Sequence, residues 1–264
     1  MKSITLFLFF ISTVAFPQKT IKTSFVKKIE FKVQTIVSVT KSSDYEKIKY
    51  IDNNTFFVKL NDNIIYNYSN VQLGKITSVD AFSPLKVKLF YRDFNTIIAL
   101  DNRLTETDKI DFNTIKPYKN VSHISTGFGN KLWVFNQDSQ QLELYNFKRN
   151  TVSAKSAPIQ SNVLDIKSSY NYCWLLTENY LYKYDSYGSI IYKIENKNYL
   201  NMALEYDNIV LQSNDKNLYY LQKNSQTIVP IETPKLLIKQ FLVTNGSLYI
   251  YDNEFLHEYQ LIKN

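Results

Sequence analysis

The stretch KVKLFYRDFNTIIALDN, residues 86–102, contains the pattern that indicates the fold class of this chain. Two runs of apolar and aromatic residues flank a polar segment, Arg92–Asn95, and a second polar cluster begins at Asp101. Short runs rich in β-branched and aromatic residues, bounded by Asn and Asp, are typical of strands joined by tight turns. The stretch therefore predicts a β-hairpin with Arg92–Asn95 at its tip.

The same pattern occurs six times, and its copies begin roughly 31 to 45 residues apart. This spacing is typical of four-stranded blades in a β-propeller. We interpret each copy as the hairpin formed by the middle strands of one blade. The copies are residues 55–70, 86–102, 131–146, 172–186, 208–224 and 247–260.

Additional strand-like segments complete these predicted blades. Each hairpin is preceded by one such segment, at residues 47–51, 75–82, 121–126, 163–169, 200–206 and 237–244. Trailing segments follow at residues 105–112, 150–155, 188–195 and 226–232. The sequence thus predicts an all-β fold, a β-propeller of six four-stranded blades. The last hairpin lacks a trailing strand, and residues 24–40 are predicted to supply it, which would close the ring.

The first residues have the pattern of a secretory signal peptide. Lys2 precedes an apolar run from Ile4 to Ile11, and small residues follow up to Ala15. This order matches the charged region, apolar region and cleavage site of such peptides. We expect residues 1–18 to be a signal peptide cleaved near residues 15–18, and residues 19–264 to form a single propeller domain. No later segment approaches the ~20 apolar residues of a spanning helix, so no membrane insertion of the mature chain is expected.

Composition limits the possible functions. Cys173 is the only cysteine, so no internal disulfide framework is possible, and its setting in YCWLL predicts a buried strand residue. The formal net charge is +7, but the lysines are scattered singly along the chain. A scattered charge favours a solubilising surface, and no nucleic-acid partner is expected.

Candidate chemistry is sparse. The two histidines, His123 and His257, are far apart and lack neighbouring Cys or His ligands, so no metal site and no cofactor are predicted. No G-x-S-x-G nucleophile motif is present, and the GFG at residues 127–129 has the setting of a turn, with no helix after it to bind phosphate. The candidate catalytic residues are those predicted near the central channel: His123, Asp80, Asp165 and Glu205.

The stretch ITSVDAFSPLKVKLFYRDFNTIIALDNRLTETDKIDF, with KLWVFNQDSQQLELYNF after it, resembles a group of uncharacterised exported, propeller-like proteins of Bacteroidetes-type bacteria. The resemblance covers most of the mature chain and implies the propeller fold and a cell-envelope location. The six-unit arrangement is also similar in outline to quinoprotein-like and NHL or lactonase-type propellers. Their tryptophan-docking, glycine-rich and metal-ligand motifs are absent from this sequence.

These observations favour a non-enzymatic envelope protein, a protein-interaction or scaffold module that presents a rigid face to a protein partner or a polymer. Its location would be the periplasm or the cell surface, and we expect a monomer. Two alternatives stay open. The first is a metal- or carboxylate-dependent hydrolase or lyase with its site at the central channel, and the second is carbohydrate binding by exposed tyrosines.

Overall fold

The computed structural model describes residues 20–43, 45–61 and 64–263. This part of the chain forms six four-stranded antiparallel sheets arranged as a six-bladed β-propeller. The fold class predicted from the sequence is therefore confirmed. The predicted signal peptide, residues 1–18, lies outside the described residues.

The strands are numbered in chain order. Blade 1 comprises β2 (Thr35–Lys41), β3 (Glu46–Asp52), β4 (Thr55–Leu60) and β5 (Ile64–Tyr68); blade 2 comprises β6 (Ser78–Ser83), β7 (Lys86–Tyr91), β8 (Thr96–Leu100) and β9 (Glu106–Asp111); blade 3 comprises β10 (Val121–Thr126), β11 (Lys131–Asn136), β12 (Gln141–Asn146) and β13 (Thr151–Lys155); blade 4 comprises β14 (Val163–Ser168), β15 (Tyr172–Thr177), β16 (Tyr180–Asp185) and β17 (Ile190–Glu195); blade 5 comprises β18 (Tyr199–Glu205), β19 (Asn208–Ser213), β20 (Leu218–Leu221) and β21 (Ile228–Pro230); blade 6 comprises β22 (Gln240–Thr244), β23 (Ser247–Tyr251), β24 (Phe255–Ile262) and β1 (Lys22–Glu30).

The innermost strands of the six blades surround a central channel. Each of β2, β6, β10, β14, β18 and β22 contacts the innermost strands of both neighbouring blades. We call the side where these strands begin the front face and the side where they end the rear face. Because neighbouring strands are antiparallel, the hairpin tips between second and third strands lie at the front, and the turns between first and second strands lie at the rear.

The ring is closed as the sequence predicts. Strand β1 pairs antiparallel with β24, from Lys22 opposite Ile262 to Glu30 opposite Phe255, and forms the outer strand of blade 6. Ile21 adds a parallel bridge to Ile231 of blade 5. This pairing covers an edge that would otherwise expose unpaired backbone groups.

The predicted strand order is wrong in blade 1. Its middle hairpin runs from Glu46 to Leu60 with Asn53 and Asn54 at the tip, so residues 47–51 form the second strand and not the innermost one. The innermost strand is β2, which we had included in the closing segment 24–40. Residues 31–34, between β1 and β2, contain no glycine or proline that would mark the break. The other five hairpins are confirmed as middle strands.

The turn at Arg92–Asn95 is confirmed as a hairpin tip. Arg92–Phe94 forms a single 3-10 turn, and Asn95 follows in the left-handed region with φ 48°. Asn adopts this conformation at a lower cost than most residues. The arginine at residue 92 is therefore held at the front face, next to the channel.

Most of the large aromatic side chains pack between blades. Trp133 and Trp174, at similar positions on β11 and β15, are 1% and 0% exposed. Cys173 is fully buried on β15, as predicted, and burial raises the pKa of its thiol. A buried thiol with a raised pKa is a poor nucleophile, which supports a packing role for this residue.

Candidate functional site

The channel contains two overlapping cavities of about 520 Å³ and 860 Å³. Three of the predicted site residues, His123, Asp80 and Asp165, line the smaller cavity, and Asp165 also lines the larger one. The structure thus brings these three side chains to one site from three consecutive blades.

His123 lies on β10 in the front half of the channel. Its Nδ1 is 2.9 Å from the hydroxyl of Ser122. The pKa of His123 is lowered to about 4, mainly by burial and next by the Arg92 cation, while Asp165 raises it and Lys167 makes a smaller lowering contribution. The imidazole is therefore neutral near pH 7 and offers the channel a hydrogen-bonding ring without charge.

Asp165, on β14, has a fully engaged carboxylate. Its Oδ1 accepts hydrogen bonds from Ile166 N and Lys167 Nζ, both at 2.8 Å. Its Oδ2 accepts from Met202 N of blade 5 at 2.9 Å. Because both oxygens are used, this carboxylate stabilises the contact between blades 4 and 5 and has little capacity left for acid-base chemistry.

Asp80, on β6, is less completely engaged. Its Oδ1 accepts from Phe82 N at 3.0 Å, but its buried Oδ2 has no hydrogen-bond partner among the described residues. Lys88 lies opposite Asp80 on β7 and donates to Thr126 Oγ1 at 2.7 Å. Lys49 of blade 1 is the second nearby amine, and the Asp80 carboxylate raises the pKa of both lysines against the larger, opposite effect of burial.

Glu205 does not join this site. It lies at the rear end of β18, is buried, and accepts a hydrogen bond from Gly246 N of blade 6. Lys263 Nζ is 3.5 Å from its other oxygen. These contacts link blades 5 and 6, which is a structural role away from the channel cavities.

A metal site of the usual kind has too few ligands in the described ranges. Among these residues, no group of three or more His, Cys, Asp or Glu side chains is placed to hold an ion. His123, Asp80 and Asp165 share a cavity without meeting the geometry of a metal centre.

The front opening of the channel carries cations that the sequence analysis did not select. Lys75, Lys167 and Lys239 line the larger cavity, and Arg92 lines the smaller one beside it. Lys75 and Lys239 lie just before innermost strands, which begin at the front, and Arg92 lies at the tip of the blade 2 hairpin. Lys167 is the penultimate residue of β14, toward the rear, and its Nζ donates to Asp165. We define the front mouth as Lys75, Lys239, Arg92 and the channel wall between them.

The rear face carries exposed aromatic side chains. Phe82, Phe128 and Tyr170 lie in or beside the turns between first and second strands of blades 2, 3 and 4, and are 41%, 70% and 46% exposed. Tyr170 lies edge-to-face with Phe82 and Phe128, at centroid distances of 4.9 Å and 6.0 Å. We call these three residues the rear aromatic cluster. An aromatic residue recurs at or beside this turn in blades 2, 3 and 4, and this recurrence in the sequence could have indicated the cluster.

Solved structures share the fold at low sequence identity. A selenomethionine-substituted virginiamycin B lyase from Staphylococcus aureus superposes with a TM-score of 0.59 and 12% identity, over 89% of this chain and 99% of that chain. A catalytically inactive histidine variant of that lyase with quinupristin gives 0.58 and 12%, over the same shares. A chain of the mitotic checkpoint complex gives 0.60 and 11%, over 86% of this chain and 75% of that chain.

At these identities the likeness shows the β-propeller fold alone. No family model and no curated protein matches the chain. Within the described ranges, the structure has no helix that combines the length and the apolar character needed to cross a membrane.

Proposed function

We propose that this chain is an exported, non-enzymatic β-propeller that binds a protein partner through its rear face in the cell envelope. The observation that carries the proposal is the rear aromatic cluster, which exposes three rings from three consecutive blades. Export is supported by the signal-peptide pattern of residues 1–18. The chain would act there as a monomer, in the periplasm or at the cell surface.

The cluster has the properties of an interface centre. Aromatic side chains dominate the binding energy of protein interfaces, and contiguous exposed apolar surface marks interaction sites. The edge-to-face contacts of Tyr170 with Phe82 and Phe128 order the rings before any partner binds. Because less side-chain entropy is then lost on association, the rigid rings favour affinity.

The charges beside the cluster indicate the chemistry of the partner. Lys86 and Lys131 begin the strands that follow these turns, and neither forms an ion pair with another described residue. Leu85 adds an apolar side chain that is 67% exposed. We infer a partner segment that combines apolar side chains with Asp or Glu, since such charges steer association with a basic rim.

Site-specific photo-crosslinking in producing cells tests this assignment. Phe128 is replaced by p-benzoylphenylalanine, and Tyr118, an exposed aromatic residue on the front side, is replaced in the same way as a control. We expect a discrete protein adduct from residue 128 and none from residue 118. Equal adducts from both residues, or none from either, would contradict rear-face docking.

The identified partner is then purified and its affinity measured by calorimetry. Phe128→Ala and Tyr170→Ala are expected to weaken binding about thirtyfold or more each, because truncated interface centres cost at least ~2 kcal/mol. Tyr118→Ala should leave the affinity unchanged. If the variants bind the protein normally but lose binding on a glycan array, the cluster is a carbohydrate site instead.

Export has its own measurement. Cell fractionation followed by N-terminal sequencing should give a mature chain that starts between residues 16 and 19, as the cleavage pattern predicts. An uncleaved chain retained in the cytoplasm would refute export without affecting the rear-face interaction.

A second candidate function, a hydrolase or lyase at the channel, is favoured by one observation. The buried Oδ2 of Asp80 has no partner among the described residues and lies in the cavity that His123 also lines. An unsatisfied buried carboxylate oxygen is a group that a substrate or an ion could engage. Elemental analysis of protein purified without chelators tests the metal-dependent form, and a stoichiometric divalent ion lost in Asp80→Asn would support it.

A further inference from the structure

The front mouth is an electropositive opening. Of the charged residues that line the larger cavity, Lys75, Lys167 and Lys239 are cations, and Asp165 is the only carboxylate among the described lining residues. Arg92 adds a further cation from the adjoining cavity. Charges of one sign around a concave opening with low-dielectric walls concentrate the field and attract ions of the opposite sign.

The carboxylates of the channel do not cancel this charge at the mouth. Asp165 is engaged by Lys167 Nζ and by two backbone N–H groups. Asp80 lines only the smaller cavity, where its charge acts on Lys49 and Lys88. Lys75, Lys239 and Arg92 are therefore left without an ion-pair partner among the described residues.

A residue with a buried, unpartnered hydrogen-bond donor lines the same cavity. Gln212, on β19, is 2% exposed and lines the larger cavity. Its Oε1 accepts from Asn201 Nδ2 at 3.3 Å, and its Nε2 has no partner among the described residues. A buried donor without an acceptor carries a desolvation cost of ~1–3 kcal/mol, which a bound acceptor would remove.

We propose that the front mouth binds a small molecule that carries an oxyanion, a carboxylate or a phosphate. The oxyanion is held between Lys75, Lys239 and Arg92, and Gln212 Nε2 donates a hydrogen bond to the part of the ligand that enters the cavity. A volume of about 860 Å³ accommodates a ligand of metabolite size. This site lies on the opposite face from the rear aromatic cluster and does not depend on the partner proposed there.

Calorimetric titration at constant ionic strength tests the proposal on the intact mature chain. The probes are pyrophosphate, citrate and, as an uncharged control, sucrose. The variants are Lys75→Gln with Lys239→Gln, and a matched pair, Lys109→Gln with Lys155→Gln, which removes the same charge from exposed outer strands β9 and β13. Circular dichroism and melting temperature verify that each variant is folded.

We expect at least one anionic probe to bind and sucrose not to bind. Loss of Lys75 and Lys239 should weaken the probe about tenfold or more, while the outer-strand pair should change its affinity less than about twofold. Binding of pyrophosphate alone assigns the site to phosphates, and binding of citrate alone assigns it to carboxylates. Absence of binding by both anions, or equal loss in the two double variants, overturns the proposal.

Gln212→Leu separates a binding role from a structural one. Leucine fills a similar volume and removes the unsatisfied donor, so the variant should unfold at the same or a higher temperature. At the same time its affinity for the anionic probe should fall severalfold. A variant with unchanged probe affinity would show that Gln212 takes no part in the site.

Discussion

The phenol of Tyr251 makes two hydrogen bonds with the backbone of Val33. Its oxygen accepts from Val33 N at 3.0 Å, and its O–H donates to Val33 O at 2.7 Å. Tyr251 ends β23 of blade 6, and Val33 lies in the four-residue connection between β1 and β2. These two hydrogen bonds stabilise the connection between β1 of blade 6 and β2 of blade 1, where the last blade meets the first.

Tyr251→Phe should therefore destabilise the propeller by about 1–3 kcal/mol, because it removes two hydrogen bonds to the part-buried backbone of Val33, each of which contributes about 0.5–1.5 kcal/mol. Urea denaturation followed by fluorescence gives the free energy of unfolding. Tyr91→Phe is the matched control, since the buried Tyr91 hydroxyl has no partner among the described residues. That control should be neutral or stabilising, and an equal loss in both variants would contradict a specific closing role for Tyr251.

Lys49→Met should stabilise the protein by an amount that depends on pH. Burial, with a smaller contribution from Lys47, lowers the pKa of Lys49 to about 8, whereas the unfolded chain has a value near ~10.4. Between these values the unfolded state binds more protons, so wild-type stability rises as pH increases through this window. The cost of the buried charge is fully present below about pH 8.

The expected gain in the free energy of unfolding is on the order of 2 kcal/mol near pH 7, and it should decrease toward pH ~10. Urea denaturation at the two pH values measures it. Lys109→Met, on the exposed side of β9, is the control and should show no such pH dependence. A gain of the same size at both pH values would show that buried charge is not its cause.

Arg92→Gln should raise the pKa of His123 above its value of about 4. Burial is the main cause of the low value, and the Arg92 cation is the next. The unfolded state binds more protons between about pH 4 and ~6.5, so acidification through this window destabilises the fold. The variant should therefore raise the lower pH limit of this window.

Proton NMR titration of the imidazole measures this change, and His123→Gln assigns the resonance between the two histidines. Lys109→Gln removes a distant cation of the same charge and should leave the pKa of His123 unchanged. If both variants shift the titration equally, the effect comes from net charge and not from Arg92 at the channel.

Lys119 and Glu143 form a buried ion pair in blade 3. Their side chains are 4% and 7% exposed, and Glu143 also accepts a hydrogen bond from Asn136 Nδ2 at 3.2 Å. Lys119→Met leaves the carboxylate buried without its cation and should cost about 3–5 kcal/mol. The double variant with Glu143→Leu should recover much of this loss, because the desolvated charges are both removed.

A double-mutant cycle from urea unfolding measures the coupling between the two residues. The exposed pair of Lys32 and Glu30 is the comparison, and Lys32→Gln should leave stability unchanged within error because solvent screens that pair. Additive losses at Lys119 and Glu143 would contradict the buried-pair explanation.

Local patterns predicted most of the fold. Five of the six middle hairpins, the closing strand β1 and the tip at Arg92–Asn95 follow from strand-forming runs separated by Asn and Asp, since turn chemistry acts within a few residues. The order in blade 1 could not be read in this way. β1 and β2 are both strand-like, and their membership in different blades depends on which distant strand each one pairs with.

The same distinction between local patterns and long-range contacts applies to the candidate site. The sequence indicated that His123, Asp80 and Asp165 lie near the channel, because each belongs to an innermost strand. It could not show that both carboxylate oxygens of Asp165 accept hydrogen bonds or that Glu205 lies outside the channel cavities. It also could not show that the Gln212 amide has an unsatisfied donor. Each of these facts depends on contacts between residues far apart in the chain.

The repeat and the residue types at each turn follow from the amino-acid sequence, which predicted six blades, because hydrophobic periodicity and backbone preference are local properties. The three-dimensional fold was needed to show that Phe82, Phe128 and Tyr170 meet at the rear, and that Lys75, Lys239 and Arg92 surround the front mouth. Ring closure causes this, because it places equivalent positions of successive blades side by side although they are tens of residues apart in sequence.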